Sequence, residues 1–210
     1  MTPLVIIGTG GHGREALDLV EAINTREREF EFLGFIDEHD GNEALIAARG
    51  ARIVGALNDV RQLDTSYVVG VGSGDVRRRI DEQLTAWGLV AATLVHPSCT
   101  VGSAVSLAPG VIVAAGARLT TNVTLGRHTH INVCASVSHD CRLGDYVTVS
   151  PGVTISGTVQ LRDGVMMGAG STVIQNVTVG AWTTVGAGGV VIDDLPGGVT
   201  AVGVPARPLG

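Results

Sequence analysis

The sequence predicts two folded parts in series: a small parallel α/β sheet over residues 1–94 and a solenoid of short parallel strands over residues 95–194, followed by a tail, 195–210. Three observations carry this. Residues 1–94 alternate short apolar runs with glycine-rich turns and amphipathic stretches. From Val95 onward an aliphatic residue recurs at every sixth position. The 210 residues include 30 glycines and only 3% aromatics, so the interior must be thin and filled by Val, Leu, Ile and Ala.

In the first part, Leu4–Ile7 reads as a strand that runs into Gly8-Thr9-Gly10-Gly11-His12-Gly13. A helix follows, with Ala16, Leu17, Leu19, Val20 and Ile23 on one face. A second strand, Phe30–Ile36, ends at Asp37, and His39 falls in a polar, solvated loop. A third strand, Tyr67–Val71, enters Gly72-Ser73-Gly74-Asp75 and then a helix from Val76 to about Trp87. Leu89–Val95 completes the part as a last strand. Strands alternating with helices make a parallel sheet. Such sheets bind ligands at the carboxyl ends of their strands, with phosphates near helix N-termini. This marks Gly10, Gly11, His12, Gly13, Asp37 and Gly72 as candidate substrate contacts, Asp37 as an acceptor from a ribose or base. The Gly8, Gly10, Gly13 spacing also fits a dinucleotide fingerprint. Asp37 lies further on than that fingerprint places its acid, and the part is short for a dinucleotide. Tight turns without a ligand are the plain alternative.

In the second part, seventeen successive sixth positions, Val95 to Val191, are all aliphatic. The fifth position of each hexad is small or β-branched, as at Val105, Ala117, Thr129, Cys141 and Val153, and the second is often Gly, Ala or Ser. Helices need apolar residues every third and fourth position, and plain strands every second. A fixed period of six with glycine-rich corners suits a solenoid of short strands, each hexad giving one large and one small inward residue. Cys99 and Cys141 fall at inward positions and Cys134 at a turn, which gives all three a packing role. A solenoid of fewer than six coils has large apolar flanks, so oligomerisation is expected.

The net charge of −6, with no basic run, argues against nucleic acid as partner. No apolar run reaches the length of a membrane span, and MTPLVIIGTG lacks the basic start of a signal peptide. Three cysteines without a CxxC fit a reduced, cytoplasmic protein.

GTGGHGRE, FIDE, VGVGSGDVRRRI, LVHPS and the closing GVPAR together resemble one branch of the hexapeptide-repeat sugar acyltransferases. That branch holds bacterial nucleotide-4-amino-sugar N-acetyltransferases and sialic-acid O-acetyltransferase-like proteins. The resemblance covers nearly the whole chain. It implies a Rossmann-like first domain, a left-handed parallel β-helix, a homotrimer, and acetyl-CoA as acyl donor with no metal. The acceptor it implies is the 4-amino group of a nucleotide-linked amino sugar, held by the first domain.

The resemblance also assigns residues. His139, in Ser138-His139-Asp140-Cys141, matches the general base, and sits at the third position of its hexad, a corner. Imidazole can accept a proton at neutral pH, and Asp140 would orient it. Asn132 matches an asparagine that approaches the sugar, against a structural role in the coil. Acetyl-CoA would lie between adjacent solenoids. Gly157, eighteen residues after His139, would offer a backbone N–H to the thioester. Ala169 and Ala187 would flank the pantetheine on another corner, with the tail 195–210 near the same site. Thr148 stands where some relatives carry a second histidine near CoA, which puts that contact in doubt. His128 and His130, one coil earlier, could border the site, whereas His96 reads as structural. O-acetylation of a sugar and a non-enzymatic scaffold are the competing functions. A three-histidine zinc site needs coil-related spacing, and His96, His128, His130 and His139 do not have it.

Overall fold

The computed structural model describes residues 1–38 and 43–209, so His39 lies outside the described residues. The chain forms two compact units, Met1–Pro97 and Ser98–Gly210.

The first unit is a parallel sheet flanked by helices. Its elements are β1 (Thr2–Ile7), α1 (Gly11–Arg26), β2 (Phe30–Ile36), α2 (Glu43–Ala47), β3 (Ile53–Gly55), β4 (Ser66–Val69), α3 (Gly74–Ala86) and β5 (Val90–Ala91). A 3₁₀ turn, Leu57–Gln62, joins β3 to β4. The strand order is β3-β2-β1-β4-β5. The order reverses at β1, so the carboxyl ends of β1, β2 and β4 meet where such sheets open a crevice. β1 is buried from Leu4 to Ile7 because helices cover both faces of a parallel sheet. The face of α1 that turns inward carries Ala16, Leu17, Leu19, Val20 and Ile23, as its apolar spacing requires.

Two elements depart from the sequence reading. The segment Leu89–Val95 is two short strands rather than one, β5 and Leu94–Val95. The break lies at Ala92, whose N–H donates to the Tyr67 carbonyl and ends the pairing of β5 with β4. The third strand spans Ser66–Val69, with Gly70 N–H still donating to the Ile7 carbonyl of β1 beyond its end.

The second unit is a three-sided parallel β-helix. Residues eighteen apart pair in register, as in Arg118↔Ser136, Thr124↔Arg142 and His130↔Thr148. One face stacks Thr100–Val101, Arg118–Leu119, Ser136–Val137, Thr154–Ile155, Thr172–Val173 and Val190–Val191. The second runs from Ser106–Leu107 to Thr178–Val179, and the third includes Ile112–Val113 through Thr184–Val185 and Thr200–Val202. From Val113 to Val191 every first-position residue is buried, and each contributes about 1.5–3 kcal/mol of burial. The exception is the first coil, where Val101 is exposed. The last coil is two residues short: Thr184 pairs with Thr200, and Leu195 takes the inward place.

The hexad's fourth residue turns each corner. From Ala104 to Gly188 every fourth position has positive φ, whether glycine (Gly110, Gly152, Gly170) or not (Asn122, His128, Asp140, Trp182). Left-handed backbone costs a non-glycine residue about 1–2 kcal/mol, and the ladder on either side sustains it. Among the described residues no helix is long and apolar enough to cross a membrane.

Candidate active site

A cleft of about 820 Å³ opens at the carboxyl ends of β1, β2 and β4. It is lined by Gly10, Gly11, His12, Asp37 and Gly72, five of the six residues read from the sequence, and by Arg79 and Gln83 of α3. The sixth, Gly13, is not among the lining residues and is closely packed. A Cβ there would collide with the Gly8 carbonyl, and one at Gly70 would come 2.5 Å from the Gly13 Cα. Gly8, Gly13 and Gly70 therefore let α1 close onto the strand ends. Gly10 and Gly11 have open space before them.

Each glycine loop is tied down by an arginine five residues on. Arg14 Nη1 donates to the Thr9 carbonyl at 2.8 Å. Arg77 Nη1 donates to the carbonyls of Gly72, at 2.8 Å, and Val71, at 3.1 Å. Arg77 is fully buried, and burial lowers its pKa to about 9. Asp37 Oδ2 accepts from Thr9 N–H at 2.7 Å and Thr9 Oγ1 at 2.6 Å, so this carboxylate holds the first loop as well as facing the cleft. His12 has its pKa lowered, first by burial and then by the Arg77 charge, with Glu15 opposing at 3.5 Å. Its surroundings thus favour the neutral imidazole.

In the second unit His139 and Asp140 stand at the corner between the first and second faces. Both are exposed, and His139 Nδ1 lies 2.8 Å from Asp140 Oδ2. Asn122 Nδ2 donates to Asp140 Oδ1 at 2.6 Å. Asp140 is held below the usual carboxylate range, first by the Asn122 hydrogen bond and then by His139. An ionised Asp140 can only accept, so Nδ1 is the donor in this pair, and in the neutral ring that tautomer places the lone pair on Nε2. The imidazole lies over Gly157, where a Cβ would meet Cε1 at 2.5 Å and Nε2 at 2.6 Å.

The chain thus carries a glycine-loop cleft in one unit and a His–Asp corner on a β-helix in the other. The PglD N-terminal domain family matches residues 3–84. PerB from Caulobacter crescentus, solved in complex with CoA and GDP-perosamine, is 34% identical with a TM-score of 0.89, covering 100% of this chain and 98% of that one. The acetyltransferase domain of PglB from Neisseria gonorrhoeae, solved with acetyl coenzyme A, is 32% identical with a TM-score of 0.90, covering 99% of each chain. The chain belongs to the hexapeptide-repeat sugar acyltransferases. GDP-perosamine N-acetyltransferase of Escherichia coli O157:H7 is 29% identical over 143 residues, which is 65% of this chain and 62% of that protein's length. The coil of this family member is accordingly the left-handed β-helix.

The remaining candidate residues lie on one corner and in one strand of the coil. Ala169 and Ala187 are exposed on the corner between the third and first faces, and half-buried Asn132 enters that same corner. Asn132 Nδ2 donates to the Val149 carbonyl at 2.9 Å, so part of its amide serves the coil. Thr148 is buried in a strand of the third face, 6% exposed. His128 and His130 do not border the His139 corner: both are fully buried, and His128 packs over Gly110 at the corner between the second and third faces. Cys141 is buried, which pushes its thiol up, and Cys134 is an exposed turn residue. Among the described residues no three His, Cys, Asp or Glu side chains gather as metal ligands.

The sequence reading missed Asn122 and Arg77. Asn122 precedes Asp140 by eighteen residues, one coil, and that spacing alone would have paired them. Arg77 gives less warning, because arginine is rarely fully buried; the only cue is that it follows Gly72 as Arg14 follows Thr9.

Proposed function

We propose that this protein is an acetyl-CoA-dependent N-acetyltransferase acting on the 4-amino group of a nucleotide-linked amino sugar. One observation carries the reading: an exposed imidazole whose Nδ1 is engaged by an ionised carboxylate, leaving Nε2 as a base. The donor supplies the acetyl group and its thioester carbonyl. Nε2 of His139 accepts the proton that the sugar amine loses as it becomes an amide, and can return it to the departing thiolate. Asp140 fixes the tautomer and stabilises the imidazolium. Gly157 leaves room for the imidazole and offers its backbone beside the thioester oxygen.

The nucleotide diphosphate fits the first unit's cleft. Gly10 and Gly11 expose backbone at the start of α1, and apolar Ile7, Ile36, Leu57 and Ile80 line the rest for a base. Asp37 would meet the ribose or base. CoA, flanked by Ala169 and Ala187, belongs to a second corner, so a homotrimer in which one copy's His139 corner faces another's alanine corner accounts for both sets. Asn132 then borders the sugar, Thr148 supports the donor side from within the coil, and the tail 195–210 lies near the CoA. Three free thiols support a reducing, cytoplasmic setting.

The test is thiol release from acetyl-CoA against a panel of nucleotide-linked 4-amino and 4-hydroxy sugars. Release with an amino sugar, falling about 10²–10⁴-fold in His139→Ala, is the expected result. Full activity in His139→Ala, or release with hydroxyl acceptors alone, would overturn it.

A further inference from the structure

We infer that Asn122 is a positioning residue, one that sets the orientation and tautomer of the His139 imidazole by holding the Asp140 carboxylate in place. The coil does not need this contact for its own backbone. At this corner Asn122 N–H already donates to the Ser103 carbonyl, and Asp140 N–H to the Thr121 carbonyl. The Asn122–Asp140 side-chain bond is therefore an addition to a satisfied backbone. Both side chains are exposed, and exposed polar pairs add little to stability. Yet the bond is 2.6 Å long and runs from one coil to the next.

Its geometry accounts for it. A corner carboxylate with one partner can rotate about its own bond and carry the imidazole with it. Asp140 has a different partner on each oxygen, Asn122 on Oδ1 and His139 on Oδ2, which fixes the carboxylate plane. A fixed plane aims the Oδ2 lone pair at Nδ1, so the proton stays on Nδ1 and Nε2 points to the acceptor. The Asn122 donation is also the largest cause of Asp140's lowered pKa, which keeps the carboxylate ionised and purely accepting. The space over Gly157 completes the seat of the ring.

The kinetic consequence rests on the acetyltransferase reading; the structural one does not. Asn122 has φ 57°, which glycine adopts freely, so Asn122→Gly removes the amide without straining the corner. Asn122→Asp keeps the size and turns the donor into an acceptor. In the full-length protein both variants are expected to lower kcat about tenfold or more, the low end for a hydrogen bond to a charged group. KM for acetyl-CoA and for the sugar should change by less than about twofold, because the inferred role gives Asn122 no direct contact with either substrate. The ¹⁵N shifts of His139, assigned against His139→Ala, should move from the Nδ1–H tautomer towards a mixture. Unchanged imidazole shifts in both variants overturn the inference, whatever happens to kcat; so does an unchanged kcat in an active enzyme. If the wild-type protein acetylates no amino sugar, the functional reading fails and the ¹⁵N shifts alone decide the role of Asn122.

Discussion

The His139 imidazole occupies the space that a side chain at Gly157 would fill, with the nearest ring atom 2.5 Å from where a Cβ would sit. Gly157 lacks positive φ, so its backbone suits any residue and only the ring requires glycine. Gly157→Ala is therefore expected to fold normally and push the ring aside, because an exposed side chain yields more easily than a coil. A misplacement of about 1 Å can cost 10²-fold in rate, and kcat should fall by that order while the melting temperature holds. On a His139→Ala background the same change should cost nothing further, since its whole effect passes through the ring. An additive loss in the double variant would contradict this.

The glycines of the first loop separate packing from binding. Gly13→Ala drives a Cβ into the Gly8 carbonyl, and overpacking against backbone costs about 1–3 kcal/mol or more. Gly11→Ala meets nothing within 4 Å, so it should leave stability alone and weaken nucleotide-sugar binding where the ligand approaches the loop. Trp87 and Trp182 fall in different units, so single-tryptophan variants report each unit's denaturation. Gly13→Ala should lower the midpoint seen by Trp87 and spare that seen by Trp182. Equal shifts at both would mean that α1 packing stabilises the whole chain.

His12 predicts a proton linkage. Burial and the Arg77 charge hold its pKa below the ordinary value, so the free protein leaves it neutral. An anionic diphosphate in the cleft favours the charged imidazole and raises that pKa. Between the two values the complex binds more protons than the free protein, so affinity must rise as pH falls through that window. Calorimetry in buffers of different ionisation enthalpy, with a nucleotide-diphosphate sugar, should show proton uptake on binding that is confined to the window between the two values. His12→Gln should abolish the uptake. Uptake that persists in that variant would assign it to another group.

The parts of this chain differ in how far the sequence reveals them. The β-helix was legible because period six, the pairing of residues eighteen apart and the inward burial are one fact stated three ways. The candidate corner at His139 came from the family resemblance, and the period added only that a third-position residue lies outside the core. Its third member, Asn122, was hidden only because neighbours along the coil axis are a coil apart in sequence. The first unit was legible where strands were long and apolar, as in β1 and β2. Residues 43–65 passed unread because β3 is three half-buried residues and α2 five, too short for a period to register. Gly13 matches a ligand-loop spacing and is also closely packed against the Gly8 carbonyl, because one glycine pattern can answer two demands, room for a ligand and room for a helix.

The corner rule makes opposite predictions at two positions. Gly170 has φ +66° and open space around it, so an added methyl group meets no obstacle and any loss is torsional. Gly170→Ala should cost about 1 kcal/mol, the left-handed penalty less the entropy that alanine spares in the unfolded chain. Gly170→Asn should cost less, since asparagine tolerates this region. Thr158 is the reverse case, a β-branched residue at φ 61° on an exposed corner. β-branched side chains are least suited to positive φ, so Thr158→Asn should stabilise by about 0.5–1 kcal/mol. Denaturation curves read at Trp182 measure both. If Gly170→Ala and Thr158→Asn moved the midpoint in the same direction, the corners would be set by side-chain contacts rather than by backbone torsion.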